Sequence, residues 1–220
     1  MKIKKEWFRY WWILLYFPVY MAIFIAEEKL ITNYHIIGIA LDKKIPFIEW
    51  FFFPYYIWFP YVGIVLVWLY FRDKKAFLKT ISFLYLGMTV FLIVNVAYPN
   101  GLDLRPTEFV RDNIAVRLAK AMYETDTPTN VLPSIHVYNT LGIMLGACCS
   151  KKGIRRRFVK ILVVLIGILI IASTVFVKQH SLVDVGAAIV LGAGAYFLFF
   201  RGRFAGFVDS LQTEDAEIGR

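Results

Sequence analysis

Cysteine is almost missing from this 220-residue chain: there are two, Cys148 and Cys149, and they are neighbours. Vicinal cysteines rarely form a structural disulfide, and no metal-ligand spacing surrounds them, which argues against a disulfide framework, a metal centre and a redox role; the pair reads as reduced packing residues. Internal repeats and low-complexity stretches are lacking as well. A concentrated basic patch is also absent. The formal net charge is +9, from 25 Lys and Arg against 16 Asp and Glu. The basic residues flank apolar runs instead of gathering in one place, which speaks for membrane topology and against a nucleic-acid partner. Finally, the first apolar run, Trp7 to Ala26, ends in Glu27-Glu28 without a small-x-small cleavage site. It is expected to stay as a span and not to be removed as a signal peptide.

What the chain has in abundance is apolar surface: 59% of its residues are hydrophobic and 18% aromatic, with a mean hydropathy of +0.60. A soluble domain of this size would expose too much of it, so the bilayer is the better solvent. Helices are the expected spanning element, because an open sheet leaves backbone groups unsatisfied in hydrocarbon. About 20 apolar residues are needed to cross. Trp7–Ala26, Phe51–Phe71, Thr80–Tyr98, Phe158–Val177 and Leu182–Phe200 fit, and Pro133–Cys149 is a shorter, more polar sixth. Lys2, Lys4, Lys5 and Arg9, then Arg72, Lys74, Lys75 and Lys79, then Lys151, Lys152, Arg155, Arg156 and Arg157, and finally Arg201 and Arg203 all fall on one side if there are six spans. The fold class expected is therefore an all-α integral membrane protein, a six-helix transmembrane bundle with both termini cytoplasmic. It forms one domain over residues 1–206, followed by a polar cytoplasmic tail at 207–220. The stretch Leu30 to Ile48, with Leu30, Ile31, Ile36, Ile37, Ile39 and Leu41 among polar residues, is expected to be a helix lying in the interface.

Three short segments carry chemistry, and all fall on the non-cytoplasmic side. They are Tyr98 to Pro106, Pro133-Ser134-Ile135-His136-Val137, and Lys178 to Asp184. Pro133 suits the first turn of a helix, and the free donors that follow it, with the Ser134 hydroxyl, suit an anion. His136 would stand beside that anion. His180 and Asp184 are four apart, on one face of a helix, where a carboxylate fixes the tautomer of an imidazole. Arg105 offers a planar fork for phosphate oxygens. An Asp one turn into a span is costly unless it has a function. Two histidines, a carboxylate and a guanidinium around an anion pocket read as phosphoryl transfer. The third histidine, His35, is taken as background.

These motifs resemble the signature of the type-2 phosphatidic acid phosphatase superfamily, in its membrane lipid phosphate phosphatase branch. Arg105-Pro106, Pro133-Ser134-x-His136 and Ser173-x6-His180-x3-Asp184 match in order and spacing. The resemblance implies a two-step reaction with no metal and no cofactor. His180 would be the nucleophile and form a phosphohistidine, Asp184 would orient it, and His136 would protonate the leaving group and then activate water. Arg105 and Ser134 would bind phosphate oxygens. Three positions depart from the pattern: the family lysine seven residues before Arg105 is Tyr98, the glycine before His136 is Ile135, and the arginine after Ser173 is Thr174. Lys178, two residues before His180, is expected to supply part of the missing charge.

The resulting expectation is a phosphatase acting on a lipid phosphate or diphosphate at the outer leaflet of a prokaryotic plasma membrane. Its partners are that substrate and the surrounding lipids, and oligomeric state is not legible. A lipid phosphotransferase of the sphingomyelin or inositol phosphorylceramide synthase type, using the same His-His-Asp site, is the alternative. A non-catalytic transporter or lipid-binding subunit is a third reading, which predicts no phosphoenzyme.

Overall fold

The computed structural model describes residues 11–208 and Ser210. Lys2, Lys4, Lys5 and Arg9, and the tail beyond Ser210, lie outside the described residues. In hydrocarbon a backbone can satisfy only itself, so apolar runs coil. The helices are α1 (Tyr16–Leu30), α2 (Ala40–Lys44), α3 (Phe52–Arg72), α4 (Lys74–Ala97), α5 (Ile114–Thr125), α6 (Ile135–Cys149), α7 (Arg157–Phe176) and α8 (Leu182–Tyr196). Against these stand two strands of two residues each, β1 (His35–Ile36) and β2 (Asn100–Gly101). The chain is an all-α protein of membrane character. Four helical stretches among the described residues are long and apolar enough to cross a membrane: Glu49–Arg72, Lys74–Ala97, Arg157–Phe176 and Leu182–Val208. The other two expected spans are helical but shorter. α6 has 15 residues, and α1 has 15, preceded by a 3-10 segment at Trp11–Leu15. Helix also continues over 203–208, past the expected start of the polar tail.

α6 is the centre of the bundle and packs against α3, α4, α7 and α8. Small residues permit this. A Cβ at Gly146 would lie 2.1 Å from Thr80 Oγ1, and one at Gly87 would lie 2.0 Å from the ring of Tyr138. That ring is fully buried, stacks on Phe83 at 4.5 Å, and its hydroxyl donates to the Phe83 carbonyl at 2.9 Å. Ile64, Val67, Phe158, Leu165 and Val190 point outward, as a lipid-facing surface requires. At one end of the bundle Asp73 caps α4, accepting from Ala76 N at 3.2 Å. Its second oxygen accepts from Ser150 Oγ at 2.8 Å and from Lys151 N and Lys152 N at 3.0 Å. Two of the basic connections therefore meet at this end.

The opposite end differs from expectation in two places. The segment from Leu30 to Ile48 is not one interfacial helix. β1 pairs in parallel with β2, His35 opposite Asn100 and Ile36 opposite Gly101, and a single turn, α2, follows. Gly38 has φ +149°, a conformation open mainly to glycine, and it breaks the helix. The second difference is α5, a short amphipathic helix capped by Asn113, whose side chain accepts from Val116 N at 2.9 Å. Its Ala119 and Met122 pack on Phe52 and Tyr55 of α3.

Candidate active site

Each of the six predicted site residues is held by local structure. Ser181 caps α8, accepting from Val183 N at 2.9 Å, and this leaves His180 just outside the helix. The contact expected of helical neighbours forms nonetheless: His180 Nδ1 lies 2.9 Å from Asp184 Oδ2. Asp184 is fully buried and its other oxygen accepts from Val185 N at 2.9 Å. The carboxylate accepts, so in the neutral ring the His180 proton sits on Nδ1 and Nε2 keeps its lone pair. That Nε2 lies 3.3 Å from Nδ1 of His136. The Thr174 carbonyl takes both Gln179 N and His180 N, at 3.1 and 3.0 Å, which fixes the backbone that presents the ring.

His136 comes from the first turn of α6 and is sandwiched by α3. Its ring stacks on Tyr55 at 4.7 Å and meets Trp58 at 4.3 Å, inclined by 45°. Ser134 is the N-cap of α6, and its hydroxyl accepts from Val137 N at 3.3 Å. The backbone N–H of Ser134 donates to the Asp184 carbonyl at 3.2 Å, so the starts of α6 and α8 are tied together. Pro133 thus precedes the cap and does not occupy the first turn.

Arg105 reaches the same end from the loop after β2. It donates to the carbonyls of Asp126 at 2.7 Å and Thr127 at 3.2 Å and to Gln179 Oε1, with Asp126 Oδ2 at 3.5 Å and the Tyr123 ring 4.6 Å beneath. Its Nε is buried without a partner. Burial pulls the guanidinium below its ordinary value, opposed by Asp126. Burial likewise lifts the Asp126 carboxyl, opposed chiefly by Arg105. Gln179 Nε2 closes the triangle on Asp126 Oδ2 at 3.0 Å.

Lys178 is the residue the structure does not bring to this group. It sits at φ +59°, and its ammonium donates to the carbonyls of Asp42 at 2.7 Å and Ile45. The expected phosphate ligand is in this geometry a tie to the segment around α2, because the left-handed turn aims the side chain away from His180. The substituted family positions do not restore charge either. Tyr98 stacks on His35 at 4.8 Å, and the buried Thr174 hydroxyl donates to the Ile171 carbonyl at 2.8 Å.

Several residues at this end have no role assigned to them from the sequence. Asp42, 1% exposed, accepts from Leu182 N at 2.8 Å and thereby braces the start of α8. Asn100, fully buried, accepts from Val131 N at 3.0 Å and Leu132 N at 2.9 Å and pins the segment leading into Ser134. Asp126, Gln179, Tyr55 and Trp58 complete the surround; of these only Gln179 lies within one of the three sequence segments. Among the described residues no group of three His, Cys, Asp or Glu side chains converges to hold a metal ion. A groove of about 880 Å³ lies elsewhere, along Pro60, Ile64, Val67, Trp68 and Phe71.

The arrangement offers a lone pair on His180 Nε2, a carboxylate behind it, a second imidazole in front and a guanidinium nearby. Those are the parts for attack on an electrophile whose charge is anionic. No curated protein and no solved structure matches the chain. Residues 103–206, which contain Arg105, both motif histidines and Asp184, match the family model of the PAP2 superfamily. That match, a little under half of the chain, supports membership of the type-2 phosphatidic acid phosphatase superfamily, whose members are phosphoesterases.

Proposed function

We propose that the protein is a membrane lipid phosphatase that hydrolyses a lipid phosphate or diphosphate monoester through a phosphohistidine, without a metal. The observation that carries this reading is the file Asp184–His180–His136, with contacts of 2.9 and 3.3 Å. His180 Nε2 attacks phosphorus while Asp184 supports the charge that builds on the ring. His136 gives a proton to the leaving alkoxide, then takes one from water when the phosphohistidine is cleaved. Arg105, through its unpartnered Nε, and the start of α6 at Ser134 face the phosphate oxygens. Lys178 enters the proposal as a brace, and a direct phosphate contact would need its side chain to leave Asp42 and Ile45.

The bundle is proposed to cross the membrane six times, through α1, α3, α4, α6, α7 and α8. One domain then spans 1–206, both termini are cytoplasmic and the site faces the outer leaflet of the plasma membrane. The second reading, transfer to a lipid alcohol, is favoured by one observation: Tyr98 and Thr174 carry no charge, which leaves Arg105 as the one cation of the family pattern that this chain retains.

The test is turnover of a panel of lipid phosphates by purified protein in EDTA, beside His180→Ala. Phosphate release and an acid-labile labelled phosphoenzyme are expected in the parent, and both are expected to vanish in the variant. Activity that requires added metal, or that survives His180→Ala, overturns the mechanism. Label passing to an added lipid alcohol in preference to water selects the transferase.

A further inference from the structure

His136 uses one ring nitrogen toward His180 and leaves the other unexplained. Its Nε2 is buried without a hydrogen-bond partner. The indole Nε1 of Trp58 is in the same condition, and the two rings are 4.3 Å apart. Buried polar groups normally find partners, so two orphans on touching rings require an explanation.

Proton accounting along the file says what the partner is. Asp184 is an acceptor, so the neutral His180 ring carries its proton on Nδ1 and accepts at Nε2. His136 Nδ1, 3.3 Å away, must then be the donor, which makes Nε2 of the neutral His136 ring an acceptor. Indole Nε1–H is a donor only. A donor and an acceptor on touching rings are jointly satisfied by a group that is both, and the common group of that kind is a hydroxyl.

We propose that Trp58 and His136 form a hydroxyl-binding site on the α3 side of the histidine pair. The hydroxyl, from water or from the alcohol of a lipid, accepts from Trp58 Nε1–H and donates to His136 Nε2. It holds the His136 proton on Nδ1, the nitrogen that faces the reacting centre, so Trp58 is a positioning residue. The catalytic consequence rests on the phosphatase reading; the hydroxyl site itself does not.

Trp58→Phe removes the N–H and keeps a ring against His136. With ¹⁵N-labelled histidine, the signals lost in His136→Gln identify His136. The parent is expected to hold the Nδ1–H tautomer, and Trp58→Phe is expected to shift it toward the Nε2–H form. An unchanged tautomer overturns the proposal. In active protein the same variant is expected to lose about tenfold in kcat with KM little changed and to displace the limb of the pH profile that His136 sets; a loss confined to KM counts against it.

The indole signal missing from Trp58→Phe reports the source of the hydroxyl. A hydrogen-bonded position in alcohol-free nanodiscs assigns water, and one reached only with added diacylglycerol assigns a lipid. A free position in both rejects the site. These spectra need no turnover: loss of the phosphohistidine with the tautomer shift intact would sink the phosphatase reading alone, and the reverse would sink this inference alone.

Discussion

At the scale of single residues, the site is held shut by its own charges. Arg105 is surrounded by the Asp126 carboxylate, the Gln179 amide and two carbonyls, so a phosphate bound as proposed meets the unpartnered Nε first and must displace protein acceptors to reach the rest of the fork. Asp126 makes this arrangement pH-dependent. Burial lifts its carboxyl above the ordinary carboxylate value, against the pull of Arg105. As pH rises, the unfolded chain releases this proton first, and the folded chain holds it until its higher value is passed. Across that interval the folded state binds more protons than the unfolded, so stability falls with rising pH. Asp126→Asn cannot titrate. The melting temperature of the parent minus that of Asp126→Asn is therefore expected to decline as pH climbs from the ordinary carboxylate value. The side chain is 40% exposed, which damps the effect through solvent screening. A difference that is flat in detergent-solubilised protein from acid to neutral pH would show that burial does not govern this carboxyl.

At the scale of elements, what was legible in the sequence is what lipid and catalysis impose locally. Apolar runs had to become helices, and Ser134, His136, His180 and Asp184 lie within a few residues of helix starts that their own sequence marks. What was not legible arrives through contacts between distant segments. Asp42 meets Leu182 across 140 positions, and Trp58 meets His136 from a different helix. α5 hid in a polar connection because its marks as a helix are small: the Asn113 cap and a buried stripe of Ala115, Val116, Ala119 and Met122. Lys178 shows the limit most clearly, since proximity to His180 in sequence did not settle where a long side chain points. Lys178→Met keeps the stem and leaves the carbonyls of Asp42 and Ile45 without their donor. It is expected to cost about 1–3 kcal/mol of stability, read as a lower melting temperature, with KM for a lipid phosphate unchanged. A raised KM with unaltered stability would return Lys178 to the phosphate site. Packing around α6 gives a sharper case. Gly87→Ala drives a Cβ into the Tyr138 ring, which is wedged against Phe83 and cannot retreat. A loss of about 1–3 kcal/mol is expected from such overpacking; a variant as stable as the parent would mean that α4 and α6 do not pack this closely.

At the scale of the whole molecule, the decisive question is whether the short α6 crosses the bilayer. At 1.5 Å per residue its 15 residues span about 22 Å, against a hydrocarbon core of roughly 30 Å. The shortfall lies at the end bearing the site, where Asn130, Val131, Pro133 and Ser134 continue the path as non-helical backbone that is buried in protein. Irregular backbone at membrane depth is tolerated only under such cover, and here the Asn100 side chain supplies partners for the amides of Val131 and Leu132. The other end carries Cys148 and Cys149, both free and exposed, next to the basic turn that Asp73 organises. If α6 crosses, and the basic end is cytoplasmic as proposed, these thiols face the cytoplasm and the loop before α5 faces outward. A membrane-impermeant maleimide is then expected to label the native cysteines in inside-out vesicles and to miss them in spheroplasts. Val110 is fully exposed in that loop. Val110→Cys, in a chain with both native cysteines changed to serine, is expected to show the reverse pattern. Labelling of both positions from the same side would mean that α6 dips into the membrane and returns. The number of crossings would then be odd, and the two chain ends would lie on opposite faces of the membrane.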